Sequence, residues 1–223
     1  GKAEIDSAFE FGKVDVKATT GSVKCEAKVT ESLAIKCTTG LIYASGAEVD
    51  TLSLKASTGA IELCKSTCRT LEIEATTGSI KLSQISGTGD FDIEATTGKI
   101  NLTDVVTEGD LTIEADTGDI SFKRCDAANL NISTDTGDVE VPKTTSGGRC
   151  EITTDTGDVK IKVLNAQMFQ LHRNIIVVNI SKDVTEPGVV YKSDVWAAPQ
   201  CVIRINAIDS ESAIQLFKDN SLK

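Results

Sequence analysis

The sequence predicts an all-β fold: a single-stranded parallel β-helix (solenoid) of about eight 19–20-residue coils, right-handed, with a C-terminal cap containing a short helix. Three observations predict it. A Thr-Gly pair recurs, with its glycine at Gly21, Gly40, Gly59, Gly78, Gly98, Gly118, Gly137 and Gly157, at spacings of 19, 19, 19, 20, 20, 19 and 20. Fixed offsets from that glycine are apolar in every copy. Five residues before it stand Val16, Ile35, Leu54, Ile73, Ile93, Ile113, Ile132 and Ile152, and two after it Val23, Ile42, Ile61, Ile80, Ile100, Ile120, Val139 and Val159. Finally, apolar and polar residues alternate on both sides of each glycine, as in Leu71–Leu82, LEIEATTGSIKL. Period two is the mark of a strand with one buried face, and a period near twenty with no helical pattern marks a solenoid.

Composition narrows the function. The 223 residues carry a net charge of −10 and only 4 % aromatics. A nucleic-acid partner needs a basic groove or stacking platforms, so none is expected. No apolar run reaches transmembrane length, which predicts a soluble chain. It begins at Gly1 rather than Met, as a processed or trimmed chain would after loss of a signal or membrane anchor. The seven cysteines have no regular spacing and do not read as a disulfide framework. Cys37 and Cys150 replace Ala and Leu at inward positions and read as small buried hydrophobes. Cys64 and Cys68 lie in a corner segment and could bridge or hold a soft metal, but no second Cys or His pair completes a zinc set.

Residues 1–13 read as an N-terminal cap, with Ala8, Phe9 and Phe11 over the open end. A solenoid end exposes a core cross-section and unpaired strand edges, so it must be covered. Residues 14–163 are the repeat domain. The third residue before each glycine is small (Ala18, Cys37, Ala56, Ala75, Ala95, Ala115, Thr134, Thr154), as a tight corner demands. A weaker third segment follows the second strand, with Ala47, Ile85, Val105 and Cys125 as its inward candidates. One coil alone buries too few side chains to offset the ordering of twenty residues, so coils must stack. Eight at about 4.8 Å make a rod body of about 35–40 Å. Crossovers between parallel strands favour right-handed winding.

Two columns invite a functional reading. Thr20, Thr39, Thr58, Thr77, Thr97, Thr117, Thr136 and Thr156 precede the glycines and read as a corner ladder whose hydroxyls bond the turn backbone. An ice-binding array would need a second Thr column, and the one two before the glycine turns to Asp in the last three coils. Those coils read Asp116-Thr-Gly-Asp119, Asp135-Thr-Gly-Asp138 and Asp155-Thr-Gly-Asp158. The carboxylates serve as turn formers or as a calcium ladder; calcium is the one cofactor candidate. On the outward faces, Lys17, Lys36 and Lys55 give way to Glu72, Glu74, Asp92, Glu94, Glu114 and Glu151, so one wall runs from basic to acidic. That strip serves solubility or docks a partner. Leu41 and Tyr43 form a small apolar spot.

Residues 164–223 leave the repeat and read as a C-terminal cap or interaction segment, able to mediate self-assembly. Asn174–Ser181 and Cys201–Ala207 read as strands, Pro187-Gly188 as a turn. Asp209 and Ser210 cap a short helix through Ala213, Ile214, Leu216 and Phe217. The lone His172 and Trp196 lie here and read as structural.

The units IEATTGSIKL, IEADTGDISF and ISTDTGDVEVPKTTSGGRCEITTDTGDVKIKV resemble the bacterial DUF4097 family, described as adhesins and related to envelope-stress proteins of the Lia type. The resemblance covers roughly residues 14–163. It implies a β-helical solenoid in the cell envelope, extracytoplasmic, often held by an N-terminal membrane tether, with a protein or glycan partner at the cell surface. It brings no catalytic motif. The expected function is therefore a non-enzymatic adhesin-like or scaffold module presenting a repetitive acidic face. An intracellular structural rod is the alternative, favoured by free thiols. A polysaccharide-acting β-helix enzyme would need clustered Asp with Lys or Arg near a groove, whereas here the Asp cluster sits at a corner and Arg124 and Arg149 stand apart.

Overall fold

The computed structural model describes residues 1–141, 146–157, 159–163, 175–180, 204–207 and 215–218, with side chains over 1–141 and 151–157. Every described strand joins one parallel sheet of 18 strands that winds through the molecule. The register follows the glycine spacing. Ile73 lies opposite Ile93 and Ile93 opposite Ile113, and Ile61 opposite Ile80, which pairs with Ile100. Stacked in phase, the apolar columns form one interior, in which Leu52, Ile73, Ile80, Phe91, Ile100 and Ile113 have no exposure. The protein is thus a parallel β-solenoid of about eight coils.

Each coil has three strand segments. The first wall ends at the Thr-Gly pair, the second wall follows it, and the third wall carries Ala47, Ile85, Val105 and Cys125, all buried. At the first corner the glycines adopt φ from +119° at Gly21 to +154° at Gly137. They also stack so closely that a Cβ on Gly98 would lie 2.0 Å from the Gly78 carbonyl oxygen. The column is glycine for both reasons. Corner amides bond from coil to coil, the Gly78 N–H donating to Thr97 O at 2.8 Å and the Gly98 N–H to Thr117 O at 2.9 Å.

A second corner lies six residues after the first. Gly46 takes φ +77° there, and Lys65, Gln84, Asp104 and Arg124 take φ between +49° and +57°. The left-handed conformation is imposed on side chains that disfavour it. In this column Arg124 pairs with Asp104, so Arg124 is not the isolated cation that its position in the sequence implies.

The two ends differ from expectation. Phe9 and Phe11 do not cover the core; they are 56 % and 38 % exposed and stack on each other with ring centroids 6.1 Å apart. Residues 1–13 instead begin a further partial coil. The strand Ala3–Ile5 pairs in parallel with Val23–Cys25, and Ala3 and Ile5 pack against the core. Beyond residue 163, the strand Ile175–Ile180 pairs with Ser146–Thr156 and Arg204–Ala207 pairs with it in turn, so the parallel stacking continues without a Thr-Gly signature. The expected helix is corrected where it is described: Gln215–Lys218 is a strand paired with Val159–Val163, whose open backbone edge offers it a full set of partners. Asp209, Ser210, Ala213 and Ile214 lie outside the described residues, as do His172, Trp196 and the Pro187-Gly188 turn.

Candidate functional site

The first wall presents its outward side chains in single file because its strands are in register. Four residues before the glycine the column reads Lys17, Lys36, Lys55, Glu74, Glu94, Glu114, Ser133 and Thr153. Two residues earlier in each coil it reads Asp15, Ala34, Ser53, Glu72, Asp92, Thr112, Asn131 and Glu151. The basic-to-acidic strip of the sequence is therefore one continuous face.

The join between its halves is Lys55. Its ammonium lies 2.7 Å from Glu72 Oε1 and 2.5 Å from Glu74 Oε1, and hydrogen bonds to Glu72 and then Glu74 raise its pKa. Lys55, with help from Ser53, holds the Glu72 carboxyl below the usual carboxylate range. One rung further on the balance reverses. Burial pushes the Glu94 carboxyl up, and Glu74, Glu114 and Asp92 push it further. Like charges one strand apart repel, so the acidic half of the column is electrostatically unfinished. Lys36, Glu94 and Glu114 have no ion-pair partner among the described residues.

The aspartate columns flank the first corner at the far end. Lys99 Nζ lies 2.7 Å from Asp119 Oδ2, and Asp119 Oδ1 accepts the Asp138 N–H at 3.3 Å. An ammonium and a backbone amide thus already engage Asp119. Asp116 and Asp135 are exposed beside them, and Asp158 lies outside the described residues. Among the described residues, no three His, Cys, Asp or Glu side chains are grouped to hold a metal ion. Lys99, Asp119, Asp138 and Glu140 line an open depression of about 200 Å³ on the second wall.

Thr20, Thr39, Thr58, Thr77, Thr97, Thr117 and Thr136 stand exposed in register. None of their hydroxyls bonds the corner backbone among the described residues, in contrast to the hydrogen-bonded corner ladder expected of them. The coil-to-coil amide bonds already satisfy that backbone.

Cys25, Cys37, Cys64, Cys68 and Cys125 are free, and all but Cys64 are buried. No bridge joins Cys64 to Cys68. Burial pushes the Cys68 thiol up to about 12 and the Cys125 thiol up to about 11. Cys64 Sγ lies 3.4 Å from the Tyr43 hydroxyl, a contact that sequence spacing does not reveal because the two residues stand one coil apart on an outward face. Leu41 beside it is 38 % exposed. Of the second corner, the sequence marks only the Cys64–Cys68 segment as a corner; its recurrence and left-handed backbone carry no signal beyond Gly46.

Comparison with known proteins gives one match. The family model described as Toastrack DUF4097 matches residues 42–194, extending past the end of the Thr-Gly repeats at residue 163. No curated protein and no solved structure matches the chain. No described helix is long and apolar enough to cross a membrane.

Proposed function

The chain belongs to the Toastrack DUF4097 family, and from that premise we propose that it is a non-enzymatic, adhesin-like scaffold of the cell envelope, extracytoplasmic, whose first wall docks a protein or glycan partner. The observation that carries this reading is the in-register column of Lys17, Lys36 and Lys55 followed by Glu74, Glu94 and Glu114. Such a face sets its charges in a line, with Lys36, Glu94 and Glu114 outside any ion pair among the described residues, which suits an extended partner rather than one small molecule. The described charges run along the wall instead of converging on a point, which supports a binding role over turnover. Glu94→Lys and Lys36→Glu should each abolish capture of envelope proteins or arrayed glycans while leaving the melting temperature intact. Capture indifferent to both would remove the wall from the mechanism. Cleavage of an acidic polysaccharide, lost in Asp119→Asn, would replace binding with catalysis.

The aspartate columns enter this proposal as corner carboxylates. Millimolar calcium is then expected to move the melting temperature no further than magnesium does. A calcium-specific rise that Asp135→Asn removes would assign a calcium ladder instead.

One observation favours the second reading, an intracellular rod: the five described free cysteines. Thiol assay of native protein from its own cell decides it. Reduced thiols throughout favour the cytosol; Cys64 found oxidised or capped favours the envelope.

A further inference from the structure

The charged column has a property that its sign change alone does not convey: it is self-complementary. Three lysines, Lys17, Lys36 and Lys55, are followed rung by rung by three glutamates, Glu74, Glu94 and Glu114. The order is antisymmetric about the midpoint between Lys55 and Glu74. Turn a second copy over so that its first wall faces this one with the rods antiparallel. Lys17 then meets Glu114, Lys36 meets Glu94 and Lys55 meets Glu74, and each contact occurs twice. Resting on the reading of this wall as a docking face, we infer that its partner is a second copy of the chain, in a two-fold dimer with its axis along the strands.

The neighbouring columns agree. In the column two residues earlier, Asp15 would face Thr112, Ala34 would face Asp92 and Ser53 would face Glu72. In the column before that, Lys13 would face Asp110, Ser32 would face Asp90 and Thr51 would face Thr70. No like charges oppose each other in any of the three. The other face-to-face two-fold, with its axis along the rod, sets every coil against itself. It places Lys36 on Lys36 and Glu94 on Glu94, which repulsion forbids. Charge alone therefore selects the antiparallel arrangement, and closed two-fold symmetry makes the same patch serve both copies.

Lys36, Glu94 and Glu114, which have no ion pair within one chain among the described residues, each meet an opposite charge on the second copy, whereas Lys17 already pairs with Asp15 and Lys55 with Glu72 and Glu74. The acidic neighbours Glu74, Glu114 and Asp92 crowd Glu94. The face is polar and its lysines and glutamates are largely exposed, so the dimer is expected to be salt-sensitive and reversible rather than obligate.

Sedimentation velocity on the whole chain tests this through charge exchange. The wild type is expected to be dimeric at about 50 mM salt and to dissociate at about 1 M, where the screening length falls to about 3 Å. Lys36→Glu alone and Glu94→Lys alone should each weaken the dimer at least about tenfold. Mixed one to one they should form a heterodimer. The carboxylate introduced by Lys36→Glu in one chain then meets the ammonium introduced by Glu94→Lys in the other, while the native Glu94 of the first meets the native Lys36 of the second. Circular dichroism of each variant must remain that of the folded protein, as expected for exposed substitutions. A monomeric wild type at low salt, single variants as dimeric as the wild type, or variants that ignore each other when mixed would each overturn the inference. A monomer that binds oligo-arginine through this wall, and loses it in Glu94→Lys, would keep the docking face but assign it to a basic partner. A monomer that binds neither would end both.

Discussion

At the scale of single residues, the clearest cost lies in the small column that lines the first corner. Six coils place Ala or Cys there, but Thr134 and Thr154 bury hydroxyls that have no hydrogen-bond partner among the described residues. An orphaned buried hydroxyl costs about 1–3 kcal/mol. Thr134→Val keeps the shape and removes the oxygen, so it should raise the unfolding free energy by about 1 kcal/mol in urea titration. The buried thiols make the opposite kind of commitment. Cys68 and Cys125, raised from 9.0 to about 12 and about 11, are stabilised as neutral groups. Their folded pKa values exceed the unfolded ones, so this contribution is fully present below about pH 9 and is lost as pH rises toward 12. Stability should decline across that window, and Cys68→Ala should flatten the decline. In the same protein at about pH 8, a thiol reagent should label Cys64 and spare Cys25, Cys37, Cys68 and Cys125 until unfolding.

At the scale of the coil, legibility tracks repetition. The first two walls could be read because the positions five before and two after each glycine are apolar in all eight copies, so period and phase were over-determined. The second corner was marked only at Cys64–Cys68, because its backbone is set by stacking on neighbours. The left-handed φ passes from Gly46 to Lys65, Gln84, Asp104 and Arg124, residue types that carry no common signal. Ile175–Ile180 and Arg204–Ala207 were legible as strands through their β-branched runs. Their place in the stack was not, since without Thr-Gly only the open edge of the preceding coil sets the register. Leu216 and Phe217 show the same limit: their spacing suits one face of a helix, yet the free edge of Val159–Val163 draws their backbone into a strand. The charged column was visible as a list of residues, but its antisymmetry appears only once register aligns Lys55 with Glu74. The wall also predicts its own fragility. Ile93 is 1 % exposed between Ile73 and Ile113, and Ile93→Asp would bury a charge with no partner. It should abolish cooperative melting; an unchanged transition would show that the column does not face inward.

At the scale of the molecule, everything depends on rungs of chain lying close enough, in phase, to share one interior and display one outward face. Gly46 and Gly98 separate that claim from local conformation. Both hold positive φ, at +77° and +148°, but a Cβ on Gly46 meets nothing within 4 Å, whereas one on Gly98 would strike Gly78 O at 2.0 Å. The deciding measurement is the unfolding free energy of Gly98→Ala against Gly46→Ala by denaturant titration. Close stacking of the glycine corners predicts a loss of about 1–2 kcal/mol for Gly46→Ala, from backbone conformation alone, and at least about 3 kcal/mol for Gly98→Ala, from coil-to-coil contact added to it. Equal losses, or a Gly98→Ala protein as stable as the wild type, would contradict it.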